Sequence, residues 1–125
     1  MFDLNNLKEV NDTLGHIAGD TMILDFAHIL RTTIPEEYFV GRYGGDEFIA
    51  ILRGASAAQV HNILKDIQNE ISRFNQYSGS VHLSYACGNS MSAACSDCCL
   101  TRLLERTDHN IYTDKRKYKE KTPVP

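Results

Sequence analysis

The chain has 125 residues, a length that suits one domain with a single hydrophobic core. Its 42% hydrophobic and 23% charged residues are ordinary for a soluble globular fold, and no apolar run is long enough for a transmembrane helix, so membrane contact by this segment is not expected. The net charge is −3, with a basic block at Lys115–Lys121 and an acidic remainder, which argues against a nucleic-acid-binding protein with a broad basic face.

The first residues and the cysteines bear on where the protein works. Met1–Asp3 has neither the basic region nor the apolar core of a signal peptide. Three of the four cysteines crowd one short stretch with no histidine beside them, which favours reduced cytosolic thiols over a zinc site. The four are Cys87, Cys95, Cys98 and Cys99. A cytoplasmic protein is therefore expected, with a zinc site as the less favoured alternative.

A short strand is predicted at Met1–Leu4, with Asp3 at its end. The ends of strands in open α/β sheets are common places for ligands. The polar pair Asn5-Asn6 marks the exit from this strand. A short amphipathic helical segment follows at Leu7–Asp12 and is stopped by Gly15.

The first long helix is predicted to begin at Gly19-Asp20, because Asp20 could cap the exposed amides of the first turn. Its apolar residues recur at helical spacing, and Pro35 ends it. Taken singly, Asp20 is most simply explained as a helix cap, and Asn11 as a turn residue.

Two β-prone runs flank a Gly-Gly pair and predict a β-hairpin over Tyr38–Arg53. Because Gly44 and Gly45 lack a Cβ, they could adopt positive φ and let a bulky ligand approach. Asp46 and Glu47 place two carboxylates side by side at the predicted tip, and adjacent carboxylates repel each other unless a cation or proton lies between them. Such hard oxygen ligands suit a magnesium–triphosphate site, although a solvated hairpin with acids for solubility is an equal alternative.

The second half of the chain predicts a long helix after Ser56, a strand at Val81–Cys87 and a last helix. Lys115 and Lys119 are four residues apart and would project from the same side of that last helix, where the basic block could also be a solvated helix end. The order of strand, helix, hairpin, helix, strand and helix predicts a mixed sheet with helices packed on it.

The segments Asp3–Asp20 and Arg42–Phe48 together resemble the GGDEF family of diguanylate cyclases, in the family's order and spacing and over most of the chain. The resemblance implies an α+β fold of the ferredoxin-like or polymerase-palm kind, a nucleotidyl-cyclase fold with a central, mainly antiparallel sheet and helices packed on it. It also implies the condensation of two GTP molecules into cyclic di-GMP with release of pyrophosphate, dependent on Mg²⁺ (or Mn²⁺).

The resemblance also implies a role for particular residues. Asp46 matches the position often assigned as the proton acceptor, and Asn11 and Asp20 match the pair that recognises guanine. The positions that it implies are Asp3, Leu4 (through its carbonyl), Asp46 and Glu47 for the metal; Asp46 and Glu47 for catalysis; and Asn11, Asp20, Lys8, Gly44, Gly45, Lys115 and Lys119 for the substrate. These residue types fit the chemistry, since carboxylates can hold metals, an amide and a carboxylate complement guanine, and lysines suit phosphates.

The resemblance further implies a homodimer, because each domain would hold one GTP, and a sensory domain in the parent protein. The family's usual N-terminal segment does not precede the first strand, so residues 1–125 are expected to form a single, N-terminally truncated domain. The family's Arg-x-x-Asp product-inhibition motif is absent at Pro35–Tyr38, so feedback there is not expected. The main alternative is a catalytically inactive GGDEF module that binds GTP or acts as a regulatory or interaction domain, and another cyclic dinucleotide product is a further one.

Overall fold

The computed structural model describes residues 1–77 and 81–91 and the positions 105, 107, 109, 111 and 112. Its elements are β1 (Phe2–Leu4), α1 (Leu7–Leu14), α2 (His16–Thr33), β2 (Phe39–Arg42), β3 (Glu47–Ile51), α3 (Ala57–Tyr77) and β4 (Tyr85–Cys87). The described positions between 105 and 112 are helical. Among the described residues, no helix combines the length and the apolar character that crossing a membrane requires.

The strands form a sheet in the order β2-β3-β1-β4, and all three neighbouring pairs are antiparallel. β1 therefore lies inside the sheet, between β3 and β4. Phe2 is opposite Phe48 and Asp3 is opposite Glu47 in the β1–β3 pair. The α+β class with a mainly antiparallel sheet and packed helices, which the resemblance implied, is confirmed, as is the predicted hairpin of β2 and β3. The mixed sheet expected from the order of the elements is wrong, because all pairs among the described strands are antiparallel.

Phe26 of α2 lies at the centre of the main core and is fully buried. Its ring centroid lies 6.3 Å from that of Phe2, 5.3 Å from that of Phe48 and 5.5 Å from that of Tyr85. These three aromatic residues belong to β1, β3 and β4. Because successive side chains of a strand point to opposite faces, the neighbours Asp3 and Glu47 lie on the face away from this aromatic cluster.

The predicted start of the first long helix at Gly19-Asp20 is wrong, because α2 already begins at His16. Gly15 separates α1 from α2 with a φ of 90°, a conformation that glycine adopts without steric cost, and its N–H donates to the Asn11 carbonyl at 3.0 Å. The first turn of α2 contains no acidic residue, so Asp20 lies one turn inside the helix and caps nothing. The simple explanation of Asp20 as a helix cap is thereby removed.

The strand predicted at Val81–Cys87 is shorter in the structure, where β4 comprises only Tyr85–Cys87. The Leu83 N–H donates to the Asn75 Oδ1 atom at 2.7 Å, and the Leu83 carbonyl accepts from Asn75 Nδ2 at 2.8 Å. The backbone of Leu83 is thus bonded to a side chain of α3 instead of a neighbouring strand. The predicted loop at Ser78–Ser80 lies outside the described residues.

Candidate functional site

Three carboxylates meet at one place on the sheet. One carboxylate oxygen from each of Asp3, Asp46 and Glu47 can be chosen so that all three atoms lie within 4.8 Å of one another. The β1–β3 pairing causes this, because Asp3 is opposite Glu47 and the Leu4 N–H donates to the Asp46 carbonyl at 2.9 Å. The structure therefore brings together the three acids of the predicted metal site, Asp3, Asp46 and Glu47, and places Leu4 beside Asp46 through its backbone N–H.

The predicted position of the two hairpin acids needs a correction. Glu47 is the first residue of β3, not part of the tip, because it pairs with Asp3 of the neighbouring strand. Asp46 precedes it at the end of the turn, and all three acids are half-buried. Pairing with β1 thus holds the two hairpin acids beside Asp3, whereas acids at a flexible tip could move apart.

This donor set fits a divalent cation. Three carboxylates so close together repel one another unless positive charge lies between them. Asp3 has other interactions, but its Oδ1 atom is buried and receives no hydrogen bond from the described residues. Carboxylate and carbonyl oxygens are the ligands that Mg²⁺ and Mn²⁺ prefer, so Asp3, Asp46 and Glu47 could hold either ion.

Two sets of hydrogen bonds hold the turn before Asp46, one from the Arg42 side chain and one between backbone groups. Arg42 Nε donates to the Gly44 carbonyl at 3.0 Å and Arg42 Nη2 donates to the Gly45 carbonyl at 2.7 Å. The N–H groups of Tyr43 and Gly44 donate to the Glu47 carbonyl at 2.8 and 3.2 Å. Sequence reasoning missed this use of Arg42, although an arginine two residues before a Gly-Gly turn was a usable signal.

Gly44 and Gly45 do not use the positive φ that glycine allows, since Gly15 and Gly54 are the glycines with positive φ in the described part of the chain. The structure instead leaves open space beside the backbone of Gly45. A Cβ added there would have no neighbouring atom within 4 Å, so the backbone is open to whatever binds next to the acids.

We expect Arg42→Ala to weaken Mn²⁺ binding about tenfold to a hundredfold, the usual cost of losing a group that orients metal ligands. Without the guanidinium, the turn that leads into Asp46 loses two hydrogen bonds. Titration of Mn²⁺ by electron paramagnetic resonance, without nucleotide, measures this. Arg53→Ala is the matched control, because Arg53 is exposed just beyond β3. Equal affinities in the two variants would show that Arg42 does not position the acids.

The two predicted base-recognition residues lie on neighbouring helices. Asn11 is half-buried in the last turn of α1, and Asp20 is exposed in α2. They are brought near each other because the Asn11 carboxamide packs directly against Gly19, the residue before Asp20. Sequence reasoning placed Gly19 at the start of the helix and missed this contact with Asn11.

The lysines predicted to bind phosphate have different outcomes. Lys8 is exposed in the first turn of α1, directly after the strand that carries Asp3. Lys115 and Lys119 lie outside the described residues, as do Cys95, Cys98 and Cys99. Their proposed or expected roles stay predictions from the sequence.

In comparisons with known proteins, the chain matches a family model and a relative that are both described as diguanylate cyclases. The family model described as "Diguanylate cyclase, GGDEF domain" matches residues 1–121. The chain is 35% identical over 117 residues to the probable diguanylate cyclase DgcI of Escherichia coli (strain K12), an alignment that covers 93% of this chain and 25% of that protein. The chain thus spans about a quarter of the length of this relative.

Two solved structures are similar in fold. The GGDEF domain of YfiN (also called TpbB) from Pseudomonas aeruginosa superposes with a TM-score of 0.79 at 31% identity, over 93% of this chain and 73% of that one. The GGDEF domain of DgcB from Caulobacter crescentus, in complex with c-di-GMP, superposes with a TM-score of 0.77 at 27% identity, over 93% and 70% of the two chains.

Proposed function

This chain belongs to the GGDEF domain family of diguanylate cyclases, and we propose that it is a catalytic domain that condenses two GTP molecules into cyclic di-GMP with release of pyrophosphate. The observation that carries the proposal is the cluster of Asp3, Asp46 and Glu47, with carboxylate oxygens within 4.8 Å of one another. A module that only binds a nucleotide has no need of three converging acids, whereas phosphoryl transfer uses them to hold metal ions.

Each residue of the cluster has a distinct part in the proposed reaction. Mg²⁺ or Mn²⁺, held by Asp3, Asp46, Glu47 and the Leu4 carbonyl, supplies charge neutralisation and Lewis acidity when bound. The 3′-oxygen of one GTP bonds to the α-phosphorus of the other, and Asp46 accepts the proton that this 3′-hydroxyl loses. The bond from that phosphorus to the β-phosphate oxygen breaks, and pyrophosphate leaves. The paired strands keep Asp3 and Glu47 in place throughout.

Base selection is proposed to come from α1 and α2. Guanine presents N–H donors at N1 and N2 and an acceptor at O6. The Asp20 carboxylate accepts hydrogen bonds, so it suits the two donors, and the Asn11 carboxamide can donate to O6. Lys8 provides a compact cation for the phosphates, and the sequence assigns the same part to Lys115 and Lys119.

Each domain offers one such site, so the reaction requires two copies of the chain facing each other across a two-fold axis. The homodimer is therefore part of the proposal, as is a sensory domain in the parent protein that controls when the copies meet. The share of DgcI outside the matched region leaves room for further domains in that relative.

The direct test is to incubate the purified chain with GTP and Mg²⁺ and to separate the products by chromatography. We expect cyclic di-GMP and pyrophosphate, and no product when a chelator removes the metal. Asp66→Asn, which changes an exposed acid on α3, should leave the yield unchanged. GTP binding without product would favour the inactive module, and a chain that does not bind GTP would contradict the proposal.

A further inference from the structure

The corner between α1 and α2 contains an unusually close contact. The Asn11 carboxamide occupies the space in which a side chain at Gly19 would begin. A Cβ added to Gly19 would collide with Asn11 Oδ1 and would lie 2.8 Å from Asn11 Cγ and 3.4 Å from Asn11 Nδ2. Gly19 is buried, and no residue with a side chain could stand there without moving the carboxamide.

The backbone conformation does not explain this glycine. The φ of Gly19 is not positive, and Gly19 lies inside a regular helix, where glycine is a poor helix former. Any residue could adopt this backbone. The close approach of Asn11 is therefore the feature of the described structure that requires a missing side chain at position 19.

The main chain of Asn11 is held at the same corner. Its carbonyl accepts the Gly15 N–H at 3.0 Å, and the Gly19 N–H donates to the Gly15 carbonyl at 3.3 Å. Asn11 is thus fixed to the start of α2 through its backbone and seated on Gly19 through its side chain. Because Asp20 is the next residue, the piece of helix that contacts the Asn11 carboxamide also carries the Asp20 carboxylate.

We propose that Gly19 is a specificity-determining position of the base site. Because Gly19 has no side chain, it leaves a space, here called the seat, that holds the Asn11 carboxamide in position to reach the base. The inference rests on the proposed function, in which Asn11 and Asp20 read guanine. With the seat filled, the carboxamide is displaced while the Asp20 carboxylate keeps its place. Guanine then loses its contact at O6, and adenine, which has an amino group at that position, loses nothing.

Gly19→Ala should therefore weaken GTP binding about tenfold, the effect of losing one hydrogen bond. ATP binding should not change, so the preference for GTP over ATP falls by the same factor. Calorimetric titration of each nucleotide in the presence of Mg²⁺ measures this. Thr32→Ala is the control, because Thr32 is exposed near the other end of α2 and its hydroxyl donates within the helix, to the His28 carbonyl at 2.9 Å.

A double-mutant cycle separates a seat for Asn11 from a general role in packing. In an Asn11→Ala background, Gly19→Ala should have no further effect on the GTP preference, because the added methyl group has no carboxamide to displace. Additive losses would overturn the inference. Circular dichroism shows whether each variant folds. If Gly19→Ala alone does not fold, the double variant should fold, because it has no Asn11 carboxamide for the added methyl group to meet. A double variant that also fails to fold would overturn the inference.

The wild-type titration distinguishes the two levels of the proposal. A wild-type chain with no preference for GTP would contradict the proposed function and this inference together. A wild-type preference that Gly19→Ala retains in full would leave the proposed function standing and overturn the role of Gly19 alone.

Discussion

Asp46→Ala should lower GTP turnover about a thousandfold or more, because the substitution removes both a metal ligand and the proposed proton acceptor. The fold should be retained, since the hydrogen bond that ties Asp46 to β1 uses its backbone carbonyl and not its side chain. Steady-state kinetics with GTP and Mg²⁺ measures the loss, and thermal unfolding followed by circular dichroism checks the fold.

Asp66→Ala controls for the loss of a negative charge, because Asp66 is an exposed acid on α3. It should change turnover by less than about twofold, as surface substitutions away from a site usually do. Turnover in Asp46→Ala close to that of Asp66→Ala would remove Asp46 from the chemistry, and with it the proposed route for the proton.

Phe26→Ala should lower the free energy of unfolding by about 3–5 kcal/mol, the usual cost of removing a phenylalanine from a packed core. Phe26 is 0% exposed, and its ring contacts those of Phe2, Phe48 and Tyr85. A loss of this size is a large part of the roughly 5–15 kcal/mol that stabilises a typical domain. Urea denaturation measures it.

Phe39→Ala provides the matched control, since Phe39 lies on β2 with 57% of its surface exposed. Removing this ring should change stability by no more than about 0.5 kcal/mol. If Phe26→Ala lowered the free energy of unfolding as little as Phe39→Ala does, the aromatic cluster around Phe26 would not hold the strands that carry Asp3 and Glu47.

Local features of the fold could be predicted from the sequence. The hairpin follows from a Gly-Gly pair between β-prone runs, and the core face of α3 follows from apolar spacing, with Ile63, Ile67 and Ile71 all buried. The stop of the first helical segment at Gly15 was predicted, but the start of α2 at His16 was missed, because a capping aspartate at position 20 is a stronger local signal than a glycine between two short helical patterns.

The candidate site was predicted in its chemistry but not in its geometry. Adjacent acids after a glycine turn indicate a cation, yet the distance between Asp3 and Glu47 depends on strand register, which connects residues far apart in the sequence. The seat of Asn11 on Gly19 and the bond of Asn75 to Leu83 are likewise tertiary contacts. Local propensity carries no information about such contacts.

The most direct test of the central claim, that Asp3, Asp46 and Glu47 form one divalent metal centre, is a Mn²⁺ titration followed by electron paramagnetic resonance. The wild-type chain should bind Mn²⁺, and Asp3→Asn and Asp46→Asn should each weaken that binding strongly, because both acids hold the same centre. Asp66→Asn should bind like the wild type. Unchanged Mn²⁺ affinity in Asp3→Asn and Asp46→Asn would contradict the claim, because the three carboxylates would then be close together without sharing a metal.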